Sequence, residues 1–396
     1  MLRLAVTLVG AVLLLVVPAA PAAGDVFNGR IAFTSDRDGG DFDIFTMTPA
    51  GEDLRLLTAN TRNDHQPDWH PSGAALTFRA EVARRFQVWR MGADGLDQTP
   101  IVVLTPPREA SQPSWFPDAA GLLLRRSGRG PGDVFAGAVF RAGPGGENPE
   151  EFFSLSGRQF YPSWSPQMTK VLIAMTMSEP VDTDRGIFTV DPATLQPTRV
   201  FDLPGVFDSA PAWAPDGNRI AFESDGDPLG LNPEHDREIF VMKVDGTGVT
   251  QLTRNDGVRD EGPAWAPDGK QIAYTSGPDN THGDINVMTA GGIHLRRLTE
   301  FDGADESPDW QAIPAAESDR RCGDVAPATD VRAAGHGMPC TKARRLAERW
   351  SRREMPAAIR RFDARVDDFG GTLRVELVRR GRHKAQLVTF LHPGPD

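Results

Sequence analysis

The chain has 396 residues, of which 43 are Lys or Arg and 54 are Asp or Glu, so its formal net charge is −11. This acidic balance argues against general nucleic-acid binding. Because a chain of this length contains only two Cys, a buried core must hold the fold together. Residues 318–396 carry a net charge of +7 and the other residues −18, which predicts two separate units.

The N-terminus has the pattern of an export signal. Arg3 precedes an uninterrupted apolar run over residues 4–17, and residues 20–22 (Ala-Pro-Ala) have the small side chains of a cleavage site. The apolar run is shorter than the roughly 20 residues of a membrane-spanning helix. We therefore predict a signal peptide over residues 1–22 and a secreted, extracytoplasmic mature protein with no transmembrane segment. An uncleaved N-terminal anchor is the alternative.

A repeated Pro-x-Trp pattern organises most of the chain. Six of the eight Trp follow a Pro two positions earlier, at spacings of 45 to 52 residues: Trp69, Trp115, Trp164, Trp213, Trp265 and Trp310. A regular period of this length indicates one supersecondary unit repeated along the chain. A large ring at the same position of every unit is expected to fill the space between neighbouring units.

Each repeat contains four short runs with β-strand character. A Pro-Asp-Gly turn or a variant follows the Trp run, because Pro presets φ, Asp bonds its own backbone and Gly accepts positive φ. The best-defined repeat continues with residues 220–222, 238–242 and 251–253. Four short strands in about 45 residues are typical of a propeller blade, and no helical pattern separates them.

The two ends of the repeat array complement each other. The mature chain enters at a second strand, residues 29–33, and continues through a third and a fourth strand without a preceding Trp run. At the far end, Trp310 has no second strand after it. The sequence therefore predicts an all-β fold over residues 25–313, a six-bladed β-propeller closed by pairing of its N- and C-terminal strands, which removes exposed sheet edges.

The repeated pattern P-x-W-[SA]-P-D-G-x-x-I-A-[FY]-x-S, followed by D/E-I-[FY]-V-M and D-G-x-x-x-x-L-T, resembles the β-propeller repeat of the TolB family over about residues 29–313. TolB proteins also carry an N-terminal α/β domain, for which this sequence has no counterpart. The resemblance therefore implies a TolB-like propeller without that domain. Similar repeats build propellers of some oligopeptidase-like enzymes, but no G-x-S-x-G occurs here, which argues against serine hydrolase activity.

Residues that lead into the first strand of each blade are the binding candidates. In this fold the first strand lines the central channel, so residues four and five positions before each Trp converge near one channel mouth. The candidates are Asp64, His65, Asp208, Asp260, Glu261, Asp305 and Glu306, with Arg158 nearby. A ring of carboxylates would attract a cation or a basic peptide. The alternative is a solvated entrance whose Asp side chains cap turns.

Two Asp-rich loops are candidate calcium sites, because hard cations prefer clustered oxygen ligands. The first loop contains Asp36, Asp38, Asp41 and Asp43, and the second covers residues 225–236. Neither loop matches the EF-hand spacing, and plain turns are the alternative. Calcium is the only cofactor that the sequence predicts.

The basic C-terminal part is predicted to be a small α+β domain over residues 321–396, joined by a linker over residues 314–320. In an exported protein Cys322 and Cys340 are expected to form a disulfide. Residues 342–353 have the periodicity of an amphipathic helix, and residues 374–378 and 386–390 that of two strands.

These observations predict an exported, non-enzymatic binding scaffold, monomeric, whose channel mouth holds a protein, peptide or glycan ligand of the cell envelope. The alternative is a metal-assisted hydrolase or lyase with acidic channel residues, which requires close carboxylates and a divalent ion at the mouth.

Overall fold

The computed structural model describes residues 26–128, 137–176, 184–279 and 281–314, together with five strands between residues 320 and 391. Every regular element of these residues is a β-strand. Strands of residues 26–314 form six four-stranded antiparallel sheets, the six blades of a β-propeller. Among the described residues, no helix is long and apolar enough to cross a membrane.

The strands of the first three repeats are β1 (Val26–Ser35), β2 (Asp43–Met47), β3 (Arg55–Leu56), β4 (Asp64–Trp69), β5 (Ala75–Val82), β6 (Arg85–Gly92), β7 (Thr99–Val102), β8 (Glu109–Trp115), β9 (Leu122–Ser127), β10 (Ala138–Ala142) and β11 (Glu150–Phe153). Those of the last three are β12 (Gln159–Trp164), β13 (Val171–Thr176), β14 (Arg185–Val190), β15 (Pro197–Phe201), β16 (Asp208–Trp213), β17 (Arg219–Ser224), β18 (Glu238–Lys243), β19 (Thr250–Gln251), β20 (Arg259–Trp265), β21 (Gln271–Asp279), β22 (His282–Thr289), β23 (Arg296–Arg297) and β24 (Asp305–Pro314).

Blade 1 combines the two ends of the propeller, in the strand order β24-β1-β2-β3. The pairing of β24 with β1 extends from Ser35 opposite Asp305 to Val26 opposite Pro314. Blades 2 to 6 are the consecutive sets β4–β7, β8–β11, β12–β15, β16–β19 and β20–β23. Each first strand also contacts the first strands of both neighbouring blades, so β24, β4, β8, β12, β16 and β20 form a closed inner ring.

The core lies between neighbouring blades. Between blades 6 and 1, Trp310 packs with Ile285 of blade 6 and with Phe33 and Phe45 of blade 1, in a cluster of buried side chains. Trp310 is 4% exposed, and the equivalent Trp69, Trp115 and Trp265 are also buried. Because burying one aromatic side chain contributes about 2–3 kcal/mol, the repeated Trp stabilises the blade contacts, as the sequence period predicted.

The glycine turns between the third and fourth strands also belong to the blade contacts. Gly51 has a φ of +82°, and a Cβ at this position would lie 2.7 Å from the carbonyl oxygen of Leu298 in blade 6. Both the left-handed backbone and the close approach therefore require glycine here.

Every first strand contains a β-bulge, which the sequence pattern did not predict. The residue three positions before the Trp has a positive φ, between 44° and 60°, in all six blades: Gln66, Gln112, Tyr161, Ala210, Gly262 and Ser307. The pairing register with the second strand shifts at the same place. Since a bulge redirects side chains, it interrupts the simple inward–outward alternation of the strand.

The C-terminal part contains a five-stranded antiparallel sheet in the order β25-β26-β29-β28-β27. Its strands are β25 (Arg320–Arg321), β26 (Thr329–Ala334), β27 (Phe362–Asp368), β28 (Thr372–Arg379) and β29 (Ala385–Leu391). The predicted strands over residues 374–378 and 386–390 lie within β28 and β29. The predicted signal peptide, the helix over residues 342–353, and Cys322 and Cys340 lie outside the described residues.

Candidate functional site

The candidate site is the end of the inner ring at which the first strands begin, which we call the channel mouth. It comprises the residue four positions before each Trp and the second-strand residue paired with it. The first-strand members are His65, Ser111, Phe160, Ser209, Glu261 and Glu306. Their second-strand partners are Arg79, Arg125, Ala174, Glu223, Thr275 and Thr34.

At the position five residues before the Trp, the predicted carboxylates are buried in the structure. The side chains of Asp64, Asp208, Asp260 and Asp305 are 0% exposed. Each is the first or second residue of its strand, so these four carboxylates are buried where the first strands begin.

The buried Asp residues anchor the loops that enter the first strands. The carboxylate of Asp208 accepts hydrogen bonds from the Ser224 hydroxyl at 2.6 Å and from the Leu203 backbone N–H at 3.0 Å. Asp305 forms an ion pair with Arg37. Burial raises the pKa of Asp208 to about 7 and that of Asp260 to about 6, against hydrogen bonds that lower it. Protonated Asp208 and Asp260 therefore stabilise the fold more than their ionised forms do.

A second acidic residue lies at the start of several third strands and faces these Asp residues. The Thr58 hydroxyl donates a hydrogen bond to Asp43 at 2.8 Å and accepts one from the Ile44 backbone N–H, also at 2.8 Å. Burial raises the pKa of Asp43 to about 6 and that of Glu238, the equivalent residue of blade 5, to about 7. The Thr of the Leu-Thr motif thus supplies a hydrogen-bond donor to a buried carboxylate at the blade boundary.

The side chains four residues before the Trp form ion pairs in blades 1, 2 and 6. His65 Nδ1 lies 3.2 Å from the Glu306 carboxylate, which joins blades 2 and 1. Glu261 accepts a charge-assisted hydrogen bond from Arg237 at 2.7 Å and forms an ion pair with Arg259, whose Nε lies 2.9 Å from the carboxylate. Partners from within the propeller thus hold these three predicted side chains in fixed positions.

Two further mouth residues escaped the sequence analysis. Glu223 is 4% exposed, its Oε2 accepts a hydrogen bond from the Gly262 backbone N–H at 2.8 Å, and burial raises the pKa of its carboxyl. Tyr161 lies at the bulge of blade 4, and burial raises its pKa to about 12, so its hydroxyl stays protonated at physiological pH. Counting the register back from the Pro-Asp-Gly turn would have identified Glu223.

Guanidinium groups and aromatic rings alternate along one side of the mouth. Phe160 lies between Arg125, at 4.4 Å from its ring centroid, and Arg185, at 3.7 Å. Phe207 lies between Arg185, at 4.3 Å, and Arg237, at 4.2 Å. This stack links blades 3, 4 and 5, and it makes the mouth a surface of mixed charge and not the acidic ring that the sequence predicted.

Arg158, the remaining predicted mouth residue, precedes β12 and is half-buried. Its backbone N–H donates a hydrogen bond to the Thr176 hydroxyl at 2.7 Å. Its position next to Gln159, which is fully buried, keeps it near the entrance of blade 4.

Two of the four Asp residues of the first candidate calcium loop are engaged by protein partners. Asp36 accepts a hydrogen bond from the Ala304 backbone N–H at 3.0 Å, and Asp43 is buried against Thr58. Asp38 and Asp41 lie near enough to Asp43 to contribute to the raised pKa of its carboxyl. Within the described ranges, no group of three or more His, Cys, Asp or Glu side chains is arranged to hold a metal ion.

The second Asp-rich loop is a set of capped turns. Asp225 accepts a hydrogen bond from the Phe207 backbone N–H at 2.8 Å. Asp227 accepts two, from the backbone N–H groups of Leu231 and Asn232, at 2.6 and 3.0 Å. The alternative of plain turns therefore describes this loop.

Sequence comparison finds short matches to TolB proteins. The chain is 38% identical over 74 residues to the Tol-Pal system protein TolB of Zymomonas mobilis and 32% identical over 103 residues to that of Anaeromyxobacter sp.. These matches cover 18% and 26% of this chain and only 15% and 21% of the two relatives. No protein-family model matches the chain.

Structure comparison extends the likeness to the whole propeller. TolB from Acinetobacter baumannii matches with a TM-score of 0.60 at 16% identity, over 72% of this chain and 66% of that one. A putative TolB from Agrobacterium tumefaciens matches with a TM-score of 0.53 at 18% identity, over 72% of this chain and 97% of that one. The chain contains a TolB-like six-bladed β-propeller. At this identity the structural likeness of the TolB-like propeller concerns the fold.

Proposed function

We propose that the chain is an exported, non-enzymatic binding scaffold whose channel mouth holds a ligand of the cell envelope. The observation that supports this proposal is the fixed arrangement of side chains at the mouth, where two arginines hold Glu261 and His65 holds Glu306. Such preorganised polar groups lose little conformational entropy on binding, which favours a recognition surface.

The relatives and the N-terminal sequence agree with this proposal. The two relatives are named as Tol-Pal system proteins, and the N-terminal pattern of this chain predicts export. We propose residues 1–22 as the signal peptide, residues 25–313 as the propeller of a monomeric protein, residues 314–320 as the linker, and residues 321–396 as a basic α+β domain with a Cys322–Cys340 disulfide. No observation favours the metal-assisted hydrolase or lyase.

The test is affinity capture from native cell envelopes with the purified mature chain as bait. The variant combines Glu261→Gln and Glu306→Gln, which removes two mouth charges without adding bulk. We expect it to bind a specific envelope partner at least about 100-fold more weakly than the wild type does, because hydrogen bonds of charged groups contribute about 1.5–3 kcal/mol each.

The matched control is Glu150→Gln on the outer strand of blade 3, where the side chain is 60% exposed and pairs with Arg141. This control should capture the partner as the wild type does. Equal recovery by the mouth variant and the control would refute the proposed function.

A further inference from the structure

Two carboxyl groups that belong neither to the mouth nor to the buried boundary positions lie side by side on the inner ring. Asp309 and Asp68 directly precede the repeated Trp of blades 1 and 2, on the adjacent first strands β24 and β4. Asp309 Oδ2 accepts a hydrogen bond from the Trp69 backbone N–H at 2.7 Å, and Asp68 Oδ2 accepts one from the Trp115 backbone N–H at 2.9 Å. The two carboxyls therefore connect three consecutive blades, beginning with the blade that closes the propeller.

The first of these hydrogen bonds also fixes how close the two carboxyls are. The Trp69 N–H belongs to the peptide group that follows Asp68, so covalent geometry places Asp309 Oδ2 within about 8 Å of the Asp68 carboxyl carbon. Two ionised carboxylates at this separation, away from bulk water, repel each other strongly. The ionisation of one group therefore opposes the ionisation of the other.

No basic side chain of the described residues offsets this repulsion. The charged group that acts on the Asp68 carboxyl is Asp309, and no Lys, Arg or His within the described ranges acts on either carboxyl. The second-strand residues opposite them are Thr77 and Ala32. Burial and the neighbouring Asp309 raise the pKa of Asp68 well above its usual range, and burial raises the pKa of Asp309 to about 7. Both residues are half-buried, so solvent reaches them and protons can exchange.

The equivalent residues of the other four blades show that the fold does not require a carboxyl at this position. None of these residues is titratable: they are Ser114, Ser163, Ala212 and Ala264. Four blades thus form the same inner strand without an acidic side chain next to the Trp. The pair occurs where blade 1, built from both ends of the propeller, meets blade 2.

We propose that Asp68 and Asp309 share one proton at neutral pH and form a pH-sensitive latch that joins blades 1, 2 and 3. When this proton leaves to solvent at higher pH, the two carboxylates repel each other across the contact between β24 and β4. The inner ring then loosens at the blade that closes the propeller. This device goes beyond the proposed function, because it does not depend on any ligand of the mouth.

The test uses the full mature chain labelled with ¹⁵N only at Trp, so that two-dimensional NMR shows the backbone N–H groups of the eight Trp. The Trp69 and Trp115 signals report directly on the carboxyls to which they donate. Because a coupled pair titrates as a unit, both signals should move in two common steps, the later one near or above pH 7. The Trp265 signal is the control within the same spectrum, since Ala212 of the preceding blade offers no carboxyl.

Two variants separate a shared proton from two independent carboxyls. Asp68→Asn keeps a side-chain oxygen for the Trp115 N–H but removes the charge. The midpoint seen at Trp69 should then move at least about one pH unit lower, a tenfold change in the acid dissociation constant. Asp309→Asn should lower the midpoint at Trp115 in the same way, and it keeps the test decisive if Asp68→Asn does not fold. Glu150→Gln, on the outer strand of blade 3, should leave both midpoints unchanged.

Amide hydrogen exchange measures the loosening itself. Rates at pH 6 and pH 8 are corrected for the intrinsic pH dependence of exchange. Protection of the Trp69 N–H should decrease about 10-fold more than that of Trp265, as expected for a local opening and not for global unfolding. In Asp68→Asn the Trp69 and Trp265 N–H groups should change alike.

Four results would overturn the inference. The first is complete ionisation of both carboxyls below pH 5. The second is a Trp69 midpoint that Asp68→Asn leaves in place, and the third is an equal loss of protection at Trp69 and Trp265 in the wild type. The fourth is a return of both signals to their low-pH positions when millimolar CaCl₂ is added at pH 8, which would mean that the pair holds a metal ion and not a proton.

Discussion

Two adjacent positions of the first strands, five and four residues before the Trp, have opposite roles. The first is Asp in four of the six blades, and all four side chains are fully buried at blade boundaries. The second varies from His to Ser, Phe and Glu, and in blades 1, 2 and 6 it reaches the channel mouth. A residue type that recurs with the blade period thus belongs to the fold, whereas the varying position beside it is free to form a binding surface.

The largest expected difference between the buried boundary carboxyls and the mouth residues is the pH dependence of the free energy of unfolding. The folded-state pKa values of the boundary residues Asp43, Asp208, Glu238 and Asp260 are about 6 to 7, above the ordinary 3.8 of Asp and 4.5 of Glu. The folded chain therefore binds protons more tightly than the unfolded chain. Stability should be fully present below about pH 4 and should decrease as the pH rises through 6 to 7.

Urea unfolding at pH 5 and pH 8 measures this dependence. Each boundary carboxyl should contribute about 1–3 kcal/mol to the difference, with higher stability at pH 5. Glu238→Gln should reduce this difference in the free energy of unfolding by the contribution of one carboxyl. Glu150→Gln, on the outer surface, serves as the control and should leave the difference unchanged. Higher stability at pH 8 than at pH 5 would contradict the assignment of these carboxyls to the buried boundaries.

Substitution of neighbours in blade 1 tests the comparison within one strand. Asp305→Ala should lower the free energy of unfolding by about 3 kcal/mol, because it leaves Arg37 without its buried ion-pair partner. Glu306→Ala should cost about 1 kcal/mol or less, since the Glu306 side chain is 35% exposed. Chemical denaturation of both variants at one pH measures the two changes in the free energy of unfolding. Similar decreases for both variants would mean that the two positions do not differ in their contribution to stability.

The stack of guanidinium and aromatic groups should have a smaller effect on stability. Phe207→Leu keeps an apolar side chain but removes the ring contacts with Arg185 and Arg237. We expect a loss of about 1–2 kcal/mol in the free energy of unfolding and weaker capture of the envelope partner. Unchanged stability together with unchanged capture would show that the stack does not organise the mouth.

The smallest expected effects concern the bulge. Gly262 has a φ of +60°, and a Cβ at this position would have no atom within 4 Å. Gly262→Ala should therefore lower the free energy of unfolding only by the strain of a left-handed Ala, about 1 kcal/mol. Ala210, with a φ of 44° at the same position of blade 5, provides the reciprocal test. Ala210→Gly should be neutral or stabilising by up to about 1 kcal/mol, and destabilisation there would argue against strain at the bulge.

The period of the Trp, the Pro-Asp-Gly turns and the Leu-Thr ends predicted six blades of four strands, because each depends on local chemistry that a single sequence displays. The burial of Asp64, Asp208, Asp260 and Asp305 could not be predicted in this way. The bulge that sets their direction carries Gly only at Gly262, so no turn signal marked it in the other blades.

The arginines of the mouth were missed for a different reason. Arg79 and Arg125 occupy the same second-strand position in blades 2 and 3, which carries Ala, Glu or Thr in the other blades, so pairing register and not a repeated motif brings them there. Only the three-dimensional convergence of different blades shows that basic groups balance the carboxylates of Glu261 and Glu306.

The most direct test of the mouth as a binding surface is site-specific photocrosslinking in living cells. A photoreactive amino acid is placed at position 306, in the mouth, or at position 150, on the outer strand of blade 3. We predict a discrete crosslink to an envelope partner from position 306 and none from position 150. The same crosslinks from both positions, or none from position 306, would contradict the assignment of the mouth as the binding surface.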